Sequence, residues 1–348
     1  MTPPTASLQN CLVTGGNGFL GQALIHRLLA QGVSVRSFDL APHPHPEVDA
    51  VVGDLRHLPD VERACQNIDT VFHTASHVGW SLAENKLVHA VNVSGTQNLL
   101  QACQQAGVQR LIYTSSIDAV FEGRPIRAGD ESLPYAHRPL NAYSASKAEA
   151  EQLVLAANGA NGLLTCGLRT AGIFGPGDKH RLPNIIKNAQ QERAIRLGNG
   201  RSQFNHVYIG NVVQAHWLAA KALVPNSAVA GQAYFITDDA PTNFYDFMAP
   251  FLQGLGYGVA TQNIPYPVAY GLAVVLETLQ RLRVPLPPTL LPLTRYTVAS
   301  TCLDFHFSHA KAARDFGYAP IISRSEAIAT TLAWLKQAGF AKGSGPLT

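Results

Sequence analysis

Charge is scarce in this 348-residue sequence. Asp, Glu, Lys and Arg together make up 14% of it, the net charge is only +3, and there is no run of Lys or Arg. That excludes the basic footprint expected of a nucleic-acid-binding protein. Paired cysteines are also missing. Cys11, Cys65, Cys103, Cys166 and Cys302 are odd in number, far apart and free of C-x-x-C spacing. The pattern speaks against a disulfide framework and a zinc site, and it suits a reducing, cytoplasmic setting. None of the histidines offers two imidazoles four apart on a helix, and His43 and His45 alternate with prolines, so no metal site is expected. No apolar stretch reaches the ~20 residues that span a bilayer. The polar first ten residues lack a basic start followed by an apolar stretch, so no secretory signal is expected.

What is present is a globular composition, 46% hydrophobic, on a chain long enough for one large α/β domain with a smaller appendage. Short apolar runs alternate with longer amphipathic ones, as in a doubly wound parallel sheet covered by crossover helices. Strands are predicted at Cys11–Thr14, Ser34–Asp39, Ala50–Val52, Thr70–His73, Arg110–Ser115 and Thr165–Arg169. Helices are predicted over Gly18–Gln31, Leu87–Ala106 and Ala142–Ala157. The predicted fold is a Rossmann core over 1–174, with returns to the sheet at His206–Ile209 and Ala233–Thr237 within 206–240. A discontinuous substrate lobe is expected from 175–205 and 241–320, then a C-terminal helix and tail over 321–348. Within the lobe, Val268–Leu276 is almost wholly apolar and is followed by a proline-rich run to Pro292. It reads either as an ordinary buried helix or as an apolar lid or membrane-resting helix within 264–292.

Four features carry chemistry, and they occur in a fixed order. Gly15, Gly18 and Gly21 follow the first strand and open the first helix, the place where backbone must approach a pyrophosphate and present amides to it. Asp39 ends the second strand, where a carboxylate accepts hydrogen bonds from a ribose and repels a 2′-phosphate; Leu40 follows instead of an arginine. The expected cofactor is therefore NAD. Asp54, after the third strand, is placed to meet the adenine amino group. Tyr143 and Lys147 lie four apart on a predicted helix, so phenol and ammonium share one face. A free phenol titrates at ~10, and a nearby ammonium is expected to lower that value and make a general base. Ser115 and Ser116 end the preceding strand, where a hydroxyl can share alkoxide charge.

These residues, together with Cys11-Leu12-Val13-Thr14-Gly15-Gly16, His73-Thr74-Ala75, Asn92-Val93-Ser94-Gly95-Thr96 and Tyr113-Thr114-Ser115-Ser116, resemble the extended short-chain dehydrogenase/reductases over essentially the whole chain, and within them the 3β-hydroxysteroid dehydrogenase family. Phe121-Glu122-Gly123, Glu131-Ser132-Leu133-Pro134-Tyr135, Gly172-Ile173-Phe174-Gly175-Pro176 and Phe316-Gly317-Tyr318 look like the decarboxylating sterol-4α-carboxylate 3-dehydrogenase branch. The resemblance implies Tyr143 as proton acceptor, Lys147 as its partner and Ser116 as hydroxyl binder, with Ser115 the alternative. It implies NAD contacts at Gly15, Asn17, Gly18, Phe19, Leu20, Gly21, Asp39, Asp54, Leu55, Thr74, Ala75, Thr170 and Ile173, besides Tyr143 and Lys147. Asn92 is expected to support the active-site strand rather than touch substrate. The long membrane-embedding segment of eukaryotic relatives is shortened here to Val268–Leu276. A homodimer is a further expectation from relatives.

The reaction implied is NAD-dependent oxidation of a 3β-hydroxy-steroid or sterol, including a 4-carboxysterol whose ketone then loses CO₂. The same pattern is shared by reductases of 2-alkyl-3-oxoalkanoates, which NADPH preference would favour. A nucleotide-sugar epimerase or dehydratase needs a cationic lobe, for which only Lys179 and Arg181 speak.

Overall fold

The structure is a computed structural model describing residues 6–79, 82–179, 181–190, 195–238, 240–260, 262–287 and 290–342. Strands β1 (Asn10–Thr14), β2 (Ser34–Asp39), β3 (Asp49–Val52), β4 (Thr70–His73), β5 (Arg110–Ser116), β7 (Leu164–Thr170) and β11 (Gln232–Ile236) form one sheet. Their order is β11-β7-β5-β4-β1-β2-β3, and every neighbouring pair is parallel. The strand sequences explain the arrangement. Cys11, Leu12 and Val13 are all fully buried, as a strand covered on both faces must be. Cys11 and Val13 join one apolar cluster with α1 (Phe19–Leu29) and α7 (Ile209–Ala222). Leu12 joins the opposite cluster with α2 (Leu58–Cys65), α4 (Gly95–Ala106) and α5 (Ala142–Ala156). Each buried Leu, Val or Phe there contributes roughly 1.5–3 kcal/mol.

Strand order reverses between β1 and β4. Thr14 pairs with His73, His73 with Tyr113, and Ser116 with Thr170. The carboxyl ends of four strands therefore open onto one crevice, where such sheets bind ligands.

Three departures from the sequence reading bear on this crevice. The expected helix Leu87–Ala106 is split into α3 (Asn85–His89), a π-helical turn over Ala90–Ser94, and α4. The widened turn turns Asn92 inward, and π-turns of this kind gather at functional sites. Helix α2 was not foreseen; its apolar positions Val61, Ala64 and Cys65 span little more than one turn, too few to show a period. His206–Tyr208 (β10) is a strand, but it pairs with β8 (Gly172–Phe174) outside the seven-stranded sheet. Ile236, by contrast, ends a true edge strand beside Thr170.

Two more short parallel pairs lie outside that sheet: β9 (Arg196–Leu197) with β12 (Asn263–Ile264), and β6 (Ile126–Gly129), from within the stretch expected to be Rossmann core, with β13 (Phe305–Phe307). The remaining helices are α6 (Arg181–Gln190), α8 (Phe244–Gly254), α9 (Tyr266–Arg281), α10 (Arg295–Cys302), α11 (Ala310–Phe316) and α12 (Arg324–Gln337). Stacked pairs Phe121–Phe305 and Phe235–Phe307, with centroids 4.1 and 4.2 Å apart, join the lobe to the sheet. The apolar run Val268–Leu276 lies in α9, and it is not an ordinary buried helix. Ala269, Ala273 and Leu276 face inward, whereas Val268, Leu272 and Val275 are 61%, 43% and 53% exposed.

Candidate active site

The coenzyme end of the crevice begins with the glycine turn. Gly15 takes φ +70°, its N–H donates to the Phe38 carbonyl at 2.8 Å, and the Gly18 N–H donates back to the Gly15 carbonyl at 3.0 Å. A Cβ on Gly21 would stand 2.1 Å from the Gly15 oxygen, so only glycine lets α1 start this close to the turn. Gly18 caps α1 without a side-chain bond, which leaves the first amides of the helix free for an anion. Asp39 is held over the turn: its carboxylate accepts N–H bonds from Asn17 at 2.9 Å and Leu40 at 2.7 Å. Thr74 donates to the Thr14 carbonyl at 2.7 Å, closing the β4 end against β1.

Below the turn, Thr96 donates to the Asn92 carbonyl at 2.6 Å, so it accepts from His73 Nε2 at 2.9 Å and Thr14 donates to His73 Nδ1 at 2.7 Å. Burial pulls His73 down to about 3, which keeps it neutral and makes this tie structural. Thr14, Gly15, Asn17, Gly18 and Asp39 thus share one rim. Phe19 is half-buried there, and Leu20 belongs to the apolar core. Leu55 is also a packing residue: a Cβ on Gly95 would lie 2.9 Å from its own Cβ. Asp54 is committed elsewhere. Arg56 Nε donates to its carboxylate at 3.0 Å and, as the largest cause, holds the group below the usual carboxylate range. An adenine amino group would have to share it.

The catalytic end is built on α5, which Asn141 caps by accepting the Ser144 N–H at 2.7 Å. Lys147 is buried, and its ammonium donates to the Thr114 carbonyl at 2.8 Å. It lies 5.8 Å from the centre of the Tyr143 ring. Burial pulls Lys147 down to about 7 against the attraction of Glu151 and Asp118. Tyr143 is half-buried, and the Ser116 and Ser76 hydroxyls near its phenol favour the ionised form. The expected lowering of this phenol does not occur in the chain alone. Burial first, then the Asp118 charge, push it upward, and the two serines only partly offset this.

Ser116, rather than Ser115, shares the cleft with Tyr143. Successive strand residues face opposite sides, and the Ser115 hydroxyl is buried without a partner among the described residues. Ser116 is not idle: its hydroxyl donates to Asp118 Oδ2 at 2.9 Å and accepts the Asp118 N–H at 3.2 Å. Tyr296, from α10, donates to Asp118 Oδ1 at 2.7 Å. Sequence reasoning missed Asp118, Tyr296 and Ser76. Only Asp118 left a local signal, a carboxylate two residues after the strand-end serine.

Asn92 braces the site from the π-turn. Its amide donates to the Ser146 hydroxyl at 2.9 Å and the His77 carbonyl at 3.0 Å, and its oxygen accepts the His77 N–H at 2.7 Å. Thr170 donates to the Ser115 carbonyl at 3.3 Å, and Ile173 sits in β8 opposite Val207. Arg181 reaches this region too, but as a packed group. It donates to His206 Nδ1 at 3.0 Å and lies over the Phe204 and Phe247 rings, which is not a setting for a diphosphate. No cluster of metal-ligating side chains occurs among the described residues.

Residues 12–267 match the sequence profile of the 3-beta hydroxysteroid dehydrogenase/isomerase family. The chain is 38% identical to the mouse protein named sterol-4-alpha-carboxylate 3-dehydrogenase, decarboxylating, covering 95% of this chain and 92% of that one. It is 39% identical to a 3 beta-hydroxysteroid dehydrogenase/Delta 5→4-isomerase of Mycobacterium tuberculosis, covering 94% and 90%. Among solved structures, an NAD-bound short-chain dehydrogenase/reductase superfamily protein from Agrobacterium tumefaciens superposes with a TM-score of 0.74 at 22% identity, over 94% of this chain and 98% of that one. Thermus thermophilus UDP-glucose 4-epimerase superposes with 0.73 at 23%, over 95% and 100%, a likeness of fold. A cleft of this build, on a chain this similar along its whole length, makes the protein a member of the 3-beta hydroxysteroid dehydrogenase/isomerase family.

Proposed function

We propose that this protein oxidises the 3β-hydroxyl of a steroid or sterol to the 3-ketone with NAD, and that 4-carboxysterols are among its substrates. The observation that carries the reading is the meeting of Tyr143, Lys147 and Ser116 beside the glycine turn, at the carboxyl ends of β1, β4 and β5. Gly15, Gly18 and the open start of α1 fit the pyrophosphate of a dinucleotide, and Asp39 fits its adenosine ribose while repelling a 2′-phosphate. When bound, NAD supplies the acceptor for the hydride leaving the carbinol carbon. The chain's own part is to receive the hydroxyl proton at the Tyr143 oxygen, to orient the alcohol beside Ser116, and to hold the Lys147 ammonium near the nicotinamide ribose. A 4-carboxylate needs no further catalyst, because a β-keto acid loses CO₂ once the ketone is present to take the electrons.

The test incubates pure protein with NAD or NADP and a panel of 3β-hydroxysteroids with and without a 4-carboxyl group, following reduced coenzyme and CO₂ together. NADH should form with NAD and at least tenfold less product with NADP. CO₂ should appear in step with NADH only for the 4-carboxyl members. Absence of turnover across the panel, with NADPH-driven reduction of a long-chain 3-oxo acid instead, would replace the reading.

An apolar substrate also accounts for α9. We propose that this helix rests on an anionic lipid surface. Val268, Leu272, Val275 and Leu282 form one exposed apolar face, and Arg281 and Arg283 are exposed at its end. Among the described residues no helix is long and apolar enough to cross a membrane. Leu272→Asp with Val275→Asp should reduce co-sedimentation with phosphatidylserine vesicles at least fivefold. Equal sedimentation of variant and parent would reject the contact.

A further inference from the structure

Arg181, the first residue of α6, is a cation without a counterion among the described residues. Its Nη2 donates to His206 Nδ1 at 3.0 Å, and its guanidinium lies over the Phe204 and Phe247 rings at 5.5 and 5.9 Å. Its Nη1 is buried and has no hydrogen-bond partner among the described residues. Asp178 spends its oxygens on the Arg181 and Leu182 N–H groups at 2.9 and 2.8 Å. Those of Asp118 are engaged by Ser116 and Tyr296 at 2.9 and 2.7 Å. A guanidinium stays charged, and a buried charge left unpaired is costly. Burial, outweighing the attraction of Asp178, Tyr296 and Asp118, pulls Arg181 below its usual range.

The unpaired nitrogen stands beside the reacting end of the crevice. An ideal Cβ on Gly172 would lie 2.1 Å from Nη1, so the guanidinium occupies the place of a side chain at 172. Thr170 is the registered partner of Ser116, and the Ala171 N–H bond to the Ile236 carbonyl at 3.0 Å carries the extended chain past it. Side chains alternate along such a chain, so position 172 faces the same side as Thr170 and Ser116. With strands ~4.8 Å apart and ~3.3 Å of rise per residue, that position is roughly 8 Å from the Ser116 side chain. A hydroxyl and a carboxylate on neighbouring carbons, each met by a hydrogen bond of ~2.8 Å, bridge a gap of that size. Arg181 and Gly172 each keep part of their surface exposed, so a small turn of the guanidinium brings Nη1 to a ligand. Ring contacts Phe204–Phe305, Phe305–Phe121 and Phe121–Tyr296, with centroids 5.7, 4.1 and 6.2 Å apart, run from Arg181 to Tyr296. The two polar points are thus joined by aromatic rings, a surface suited to an apolar skeleton.

We propose that Arg181 binds a carboxylate carried on the carbon next to the carbinol carbon, and so makes 4-carboxysterols preferred over their uncarboxylated counterparts. The proposal rests on the dehydrogenase reading and deepens it. Nη1 carries two N–H donors, enough for one carboxylate and too few for a diphosphate.

Arg181→Met keeps the length and removes the cation, while Gly172→Ala keeps the cation and puts a methyl where its nitrogen stands. Each is compared with the parent in kcat/KM for a 3β-hydroxysterol with a 4-carboxyl group and for the same sterol without it. Both reactions use NAD, and the melting temperature checks the fold. The parent should prefer the carboxylated sterol. Both variants should cut that preference about 20-fold, the worth of a charge-assisted hydrogen bond, with the loss in KM rather than kcat. Arg181→Lys, which restores a charge, should recover part of it. A parent without preference, an unchanged preference in Arg181→Met, or equal losses on both sterols would overturn the proposal and leave Arg181 a packing residue. Should Arg181→Met fail to fold, Gly172→Ala decides alone, and the parent's preference in that variant overturns the proposal. A parent that oxidises a long-chain 2-alkyl-3-hydroxy acid and no sterol, with that activity lost in Arg181→Met, keeps the carboxylate site and replaces the sterol. A parent that oxidises no alcohol sinks the dehydrogenase reading and this proposal with it.

Discussion

Tyr143→Phe should lower kcat/KM by ~10³-fold, within the ~10²–10⁴ range that positioned proton transfer provides, while NADH affinity changes less than twofold. The substitution deletes one oxygen, whose neighbours include the Ser116 and Ser76 hydroxyls. Both serines can turn to water or to their remaining partners, Asp118 and Asn92, so the melting temperature should hardly move. Coenzyme affinity should survive for a separate reason: the glycine turn and Asp39 are fastened by backbone bonds that do not pass through α5. Stopped-flow NADH formation and NADH fluorescence titration give the two numbers. Turnover within tenfold of the parent would remove Tyr143 from the chemistry, and with it the reason to place substrate at this end of the crevice.

The largest effect on stability should come from a pair behind the site. Arg169, in β7, donates to Glu151 of α5 through Nη2 at 2.7 Å and Nε at 3.0 Å, with side chains 4% and 0% exposed. Tyr135 adds a third donor at 2.8 Å. Losing one member leaves a charge stranded in the interior, which costs about 3–5 kcal/mol. Glu151→Leu should therefore lower the melting temperature by roughly 10 °C, combining that cost with the few degrees per kcal/mol of a chain this size. Glu151→Leu with Arg169→Met together should recover most of the loss, because an apolar pair of similar volume removes both desolvation penalties. Scanning calorimetry of the two single variants and the double variant measures the coupling. Additive losses would show that the pair is not the unit of stability. Glu151 also favours the Lys147 ammonium one helical turn away, so the double variant should work at lower pH than the parent: the folded Lys147 value, already depressed to about 7, drops further when this attraction is removed.

The features that could be read in the sequence were the local ones. Gly15 and Gly21, Asp39 at a strand end, Ser116 at another, and Tyr143 four residues before Lys147 are each defined within a few residues. Their order along the chain follows from the crossover connections of a parallel sheet. What depended on distant packing was hidden. The Asp118–Tyr296 bond joins residues 178 apart, and nothing near Tyr296 announces it. A helical spacing brings Lys147 near Tyr143 but says nothing of the burial that, in the chain alone, pushes the phenol upward. The pairing of Asp54 with Arg56, two residues on, was by contrast in plain view in the sequence. The π-turn has no compositional mark beyond the Asn-Val-Ser-Gly-Thr stretch. The outward face of α9 was legible in principle, since Val268, Leu272, Val275 and Leu282 repeat at helical spacing, but an apolar run alone does not say which side meets protein.

The pairing of β6 with β13 orders events during synthesis. Strands β1 to β5 and their helices lie within the first third of the chain and can assemble as it emerges. Ile126 must wait for Phe305, and Asp118 for Tyr296. The glycine turn is therefore synthesised well before the residues that close the alcohol side of the crevice exist.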